Sequence, residues 1–166
     1  MKTVKLKPSA KGKVKKKSTA KNLRTICQSG AVPYLMEKEE IRVMLVTSSS
    51  GDAWIFPKGN IAKGMDTLKS AAKEAYEEAG VIGECENNML GVIQIEKSPA
   101  EIAEVNIYPM KIESILPEWQ EAGTRNRRLF RIGEAIGVIR GERSRKVLET
   151  LQEMLLERAE GRMNGN

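Results

Sequence analysis

The chain has 166 residues, 40% of them hydrophobic, with two cysteines and no histidine. That length fits one domain with a real core, and no apolar run reaches the ~18–20 residues of a membrane span. The missing histidine excludes a Ser-His-Asp triad, a His-ligated zinc and an imidazole proton shuttle within the chain.

The formal net charge of +6 is unevenly spread: residues 1–24 hold ten Lys or Arg and no acid, leaving 18 basic against 22 acidic groups beyond them. Residues 1–22 are nearly devoid of apolar side chains and repel one another, so this basic tail is expected to be disordered by itself. It reads either as a solvated tail or as an electrostatic patch for nucleic acid or another polyanion. No signal-peptide core follows it. Cys27 and Cys85 are isolated, expected as buried thiols in a reducing, cytoplasmic setting.

The folded domain is expected over 23–160, with 161–166 as a short C-terminal tail. Thr25–Met36 reads as a strand, with Gly30 and Pro33 suggesting a bulge or a sheet edge. A polar turn at Glu37–Glu40 leads to a second strand, Ile41–Val46. The loop Ser48–Asp52 is rich in groups able to bind phosphate, although ordinary turn chemistry explains it equally. Trp54-Ile55-Phe56 is a tight apolar run, broken at Pro57 and followed by a glycine-bearing turn, Lys58-Gly59-Asn60.

From Asp66 the pattern turns helical, with Asp66 as N-cap and Gly80 as a left-handed C-cap. Leu68, Ala71, Ala72, Ala75 and Ala79 form its small-sided apolar face. Glu74, Glu77 and Glu78 crowd together at three- and four-residue spacing near the helix C-terminus, where like charges and the macrodipole both disfavour them. A solvated acidic face is one explanation; a hard divalent cation relieving the repulsion is the other. Val81–Asn88 reads only as a loop. Met89–Glu96 and Ile102–Glu113 are strand-like, then comes a loop with Trp119, the basic run Arg125–Arg128 and a strand at Leu129–Ile132. A short helix at Gly133–Ile139 and an amphipathic helix from Arg143 to about Arg158 close the chain. Trp54 reads as core, and Trp119 as a candidate for stacking on a base.

Taken together, Gly59, Glu74, Ala75, Glu77, Glu78, Gly80 and Val81 fall on the positions of the Nudix box, which this stretch resembles. Met65 stands where the box has its first Glu and Lys73 where it has Arg, so the ion pair that Glu and Arg could make across loop and helix is not available to this pair. The resemblance implies an α/β fold, the α/β/α sandwich with a mixed β-sheet of the Nudix family. It implies hydrolysis of a diphosphate linkage with Mg2+ (or Mn2+) held by Glu74, Glu77 and Glu78. Glu74 and Glu78 would be the firmest ligands and Glu77 the base or a shared ligand.

A closer likeness, carried by MLVTSSSGDAWIFPKG and NRRLFRIGEAI, is to the branch of diphosphoinositol polyphosphate and dinucleoside polyphosphate hydrolases. It implies phosphate contacts from Ser48, Ser49, Ser50, Lys58, Gly59, Asn60, Arg125 and Arg143, with Arg127 part of the same basic rim. Ser50, Lys58, Asn60, Arg128 and Leu129 depart from that branch's residues, so the basic loop carries over in kind and its exact grip does not. A solvated basic loop is the other reading of Arg125, Arg127 and Arg128. The expected partner is a highly phosphorylated small molecule; the alternative is RNA, or its triphosphorylated 5′ end, met through the tail.

Overall fold

A computed structural model describes residues 22–165. The expected disordered tail, all but Asn22, lies outside the described residues. Eight strands build one mixed sheet: β1 (Arg24–Glu37), β2 (Glu40–Thr47), β3 (Trp54–Ile55), β4 (Lys58–Asn60), β5 (Val81–Cys85), β6 (Gly91–Ser98), β7 (Glu101–Ile115) and β8 (Arg127–Arg131). Three helices complete it: α1 (Thr67–Ala79), α2 (Ile132–Val138) and α3 (Glu142–Met163).

The core is split by the sheet, because strand side chains alternate between its faces. On one face Ala71, Ala75 and Ala79 of α1 press onto Ala31, Met44, Val46 and Met110. On the other, Val147, Leu148, Leu151 and Leu155 of α3 meet Val32, Leu45, Val105 and Ile107. The result is the expected α/β/α sandwich. No helix among the described residues is long and apolar enough to cross a membrane.

β1 is not an edge. It runs parallel to β7 along Arg24–Tyr34, and its other side is shared by β4 and β2. Pro33 is tolerated there for a simple reason. The Ala31 N–H faces the β4 side, bonding Pro57 O at 3.1 Å, and β2 pairing starts only at Tyr34. Two residues on from Ala31, the nitrogen of Pro33 therefore faces the gap between the two partners, where no donor is needed.

Three other expectations change. Val81–Cys85 is a strand, β5, paired with β7 through a bulge at Ile82/Gly83. Lys58–Asn60, expected as a turn, pairs with Gln28–Gly30 of β1. Helix α3 continues five residues past Arg158 to Met163, through positions expected to be tail. The cysteines divide as well: Cys27 is exposed rather than buried, while burial pushes the Cys85 thiol up to about 12. Neither forms a disulfide.

Candidate active site

Helix α1 positions the acidic residues, and both of its ends are fixed. Asp66 accepts a hydrogen bond from Lys69 N at 2.8 Å, and Gly80 closes the last turn at φ 61°. Its buried face is alanine, so the helix lies close on the sheet. One turn apart, Glu74 and Glu78 reach from that helix to β4. The Glu74 carboxylate packs directly on Gly59; a Cβ there would lie 2.5 Å from both of its oxygens. Glu78 is 5% exposed, and its Oε2 accepts from Lys58 N at 3.3 Å. Glu77 leans elsewhere, 2.6 Å from Lys73 Nζ. The expected trio is thus divided, two carboxylates on the β4 backbone and one in a surface ion pair.

The electrostatics follow from burial. It raises Glu78 to about 7, against the opposing pull of Arg125 and Lys58, and raises Glu74 also. Burial lowers Lys58, with Glu78 working the other way. Arg125 sits 3.2 Å from Glu78 Oε1, pairs with Glu121 and donates to Thr47 O at 2.9 Å. Among the described residues no three carboxylate or thiol groups stand close enough to hold a metal as placed. The donor chemistry nevertheless suits a hard divalent cation. Glu74 and Glu78 are adjacent, oxygen-only donors, sequestered at a cost that a cation would offset.

A cavity of about 610 Å³ opens beside Glu78, and five of the residues named as phosphate contacts, Ser48, Ser49, Lys58, Arg125 and Arg143, line it. The other expected residues stand outside that lining. Ser50 is turned onto Asp52, whose carboxyl is held down at about 2 by the Ser50 and Ser48 hydroxyls and Arg140. Gly59 serves Glu74, and the Asn60 side-chain oxygen accepts from Gln28 Nε2 at 2.9 Å.

Arg127 is a correction. Its guanidinium donates to Ala79 O at 2.7 Å and Leu116 O at 2.5 Å, and lies 3.8 Å over the Trp119 ring. It ties the end of α1 to the following loop and does not face the cavity. Trp119 is corrected with it, since Arg127 covers the ring a base would need. Trp54 packs edge-on against Phe130 at 5.0 Å, in the core as expected.

Several residues of this site escaped sequence reading. Glu121 anchors Arg125, and its N–H bonds Glu77 O at 3.1 Å. The signal was present, an acid four residues before an arginine, but it lies in a loop with no helical pattern around it. Gln28, Ile93 and Ile95 line the cavity from β1 and β6. Only their pairing across β7 brings them there, with Gln28 beside Val105 and Val105 beside Ile93.

No model of a known protein family matches the chain. Among curated proteins it is similar to Nudix hydrolase 18, mitochondrial, of Arabidopsis thaliana, 28% identical over 133 residues and 76% of each chain. It is also similar to human diphosphoinositol polyphosphate phosphohydrolase 3-alpha, 31% identical over 109 residues and 64% of each chain. Among solved structures, the Caenorhabditis elegans Ap4A hydrolase binary complex superposes with a TM-score of 0.68 at 19% identity, covering 80% of this chain and 98% of the other. The sandwich around a box-bearing helix is the Nudix fold. Its sequence relatives are Nudix hydrolases as well, so the chain is similar to that family in both sequence and fold.

Proposed function

We propose that this enzyme hydrolyses the phosphoanhydride bond of a highly phosphorylated small molecule, in the manner of a dinucleoside polyphosphate or a diphosphoinositol polyphosphate, with Mg2+ or Mn2+. The observation that carries this reading is the convergence of Glu74 and Glu78 on the Lys58–Gly59 backbone, with Glu78 in the wall of a cavity that Lys58, Arg125 and Arg143 also line. A cation held by Glu74 and Glu78, with Glu77 as a further or shared ligand, would supply Lewis acidity toward phosphate and water.

The remaining work falls to the chain's own groups. Arg125 and Arg143 bind and orient phosphate oxygens, Arg through paired charge-assisted bonds and Ser48 and Ser49 through their hydroxyls. Lys58, half-desolvated, adds a positive charge beside the bond to be cut. Phe56, Ile93 and Ile95 exclude water from one wall, which strengthens each of these interactions. Glu77, if freed from Lys73, is the carboxylate available to take a proton from the attacking water. The reducing cytoplasm remains the proposed location.

Phosphate release should appear with Mg2+ or Mn2+ and vanish with EDTA across a panel of nucleotides, dinucleoside polyphosphates and inositol pyrophosphates. Metal-independent release, or none from any member, would defeat the reading. The ten-cation leader supports one added role, contact with nucleic acid. Affinity for a short single-stranded RNA should then fall steeply with salt, and collapse when residues 1–22 are removed while small-molecule hydrolysis persists. A flat salt response would remove nucleic acid from the proposal.

A further inference from the structure

We propose a second anion site on this chain, for a phosphomonoester with an apolar body, at the opposite end of the layer formed by β1 and α3. A groove of about 540 Å³ opens there, with Met36, Leu155, Ala159 and Met163 as its apolar surface. Both elements touch both cavities. Gln28 and Ser144 line the first, Tyr34 and Leu155 the second, and no residue lines both. Met36 is eight residues along β1 from Gln28, about 26 Å at ~3.3 Å per residue.

Charge selects the ligand. Lys38, Lys111, Arg158 and Arg162 surround the groove, against Glu39 and Glu86. Glu86 is already satisfied, accepting from the Tyr34 hydroxyl at 2.7 Å and from Arg158 at 2.6 Å. Lys38, Lys111 and Arg162 have no ion-pair partner among the described residues. Glu39 lines the groove beside them and Glu84 stands opposite Lys111 across the β5–β7 pair, which leaves the groove with a net positive charge. The C-terminal end of α3 adds a partial negative charge of about half a unit, too little to cancel the surplus. A phosphomonoester supplies nearly two negative charges and several acceptor oxygens at neutral pH, and its organic part can lie on the methionine and leucine surface.

The hairpin at the rim is a separate observation. Lys38 and Glu39 take φ of 47° and 67°, the turn in which Asn and Gly are usual. Two left-handed non-glycine residues cost roughly 1–2 kcal/mol each. Turn stability does not explain a lysine there; a cation held over the groove does.

The proposal stands whether or not the first cavity hydrolyses anything. Its test is amide NMR of the full chain in EDTA, titrated with phenyl phosphate and, in parallel, with phenol. Phenyl phosphate should shift Lys38, Glu39, Lys111 and residues 158–163 saturably. Lys111→Glu combined with Arg162→Glu should weaken those shifts at least tenfold in affinity, and the neutral pair Lys111→Met with Arg162→Met by less. Shifts confined to the first cavity or to residues 1–24 would overturn the site. Equal shifts from phenol, or shifts indifferent to the substitutions, would overturn its recognition of phosphate.

Discussion

Glu78→Gln should lower turnover by roughly 10²–10³, about 3–4 kcal/mol of barrier, while the fold survives. The side chain is nearly inaccessible, and glutamine keeps its shape and an oxygen for Lys58 N. Arg125 loses one partner but keeps Glu121 and Thr47 O, so near pH 4.5, where both side chains are neutral, stability should move by no more than about 1 kcal/mol. What is removed is the charge. One measurement separates this from a merely structural role. Burial raises Glu78 from 4.5 to about 7, so the native state binds the extra proton within that window. In EDTA the wild type should therefore lose stability as pH rises from about 4.5 through 7, and the variant should lose less. Full activity of the variant at saturating Mg2+ would remove Glu78 from the chemistry; identical stability profiles would remove the buried charge.

Why so much of this was readable in the chain, and some was not, comes down to the range of the interactions. Helix α1 is written locally: Asp66, the alanine face and Gly80 each act within one or two turns, and the structure keeps all three. Such signals also gave the acidic trio its place. Which carboxylates converge depends instead on β4, whose pairing with Gln28–Gly30 is set some thirty residues away. Arg125 and Arg127 stand two apart in one basic run, and the sequence shows only that Arg125 has an acid four residues before it. One reaches Glu78 and the other the end of α1, because Arg127 opens β8 while Arg125 stands in the loop before it, held by Glu121 and Thr47 O. β5 was hidden by Gly83, where a side chain would strike the carbonyl of Lys111. Its five residues show no alternation once that position is blank.

Gly59→Ala should reduce activity about 10- to 100-fold with little change in stability, whereas Gly80→Ala should do the reverse. The two glycines bracket the same helix but answer different needs. At Gly59 the added methyl meets the Glu74 carboxylate, the far end of a flexible side chain that can swing aside cheaply. The fold then survives, but Glu74 leaves the position it shares with Glu78, and a displacement of about 1 Å at such a site costs up to ~10²-fold. At Gly80 the obstacle is the backbone itself, φ 61°, together with Arg127 Nη1 at 2.5 Å and the Trp119 Cβ at 2.7 Å. Left-handed backbone alone costs alanine roughly 1–2 kcal/mol. With the clash, about 2 kcal/mol is expected, a fall of roughly 4–8 °C in Tm for a chain of this size. Glu74 and Glu78 lie within α1 and stay against β4, so kcat at low temperature should drop less than threefold. Comparing Tm and kcat for the two variants decides whether Gly59 is kept for Glu74 or for the turn. If Gly59→Ala loses as much Tm as Gly80→Ala and retains its activity, the packing of Glu74 on β4 is not what the reaction uses.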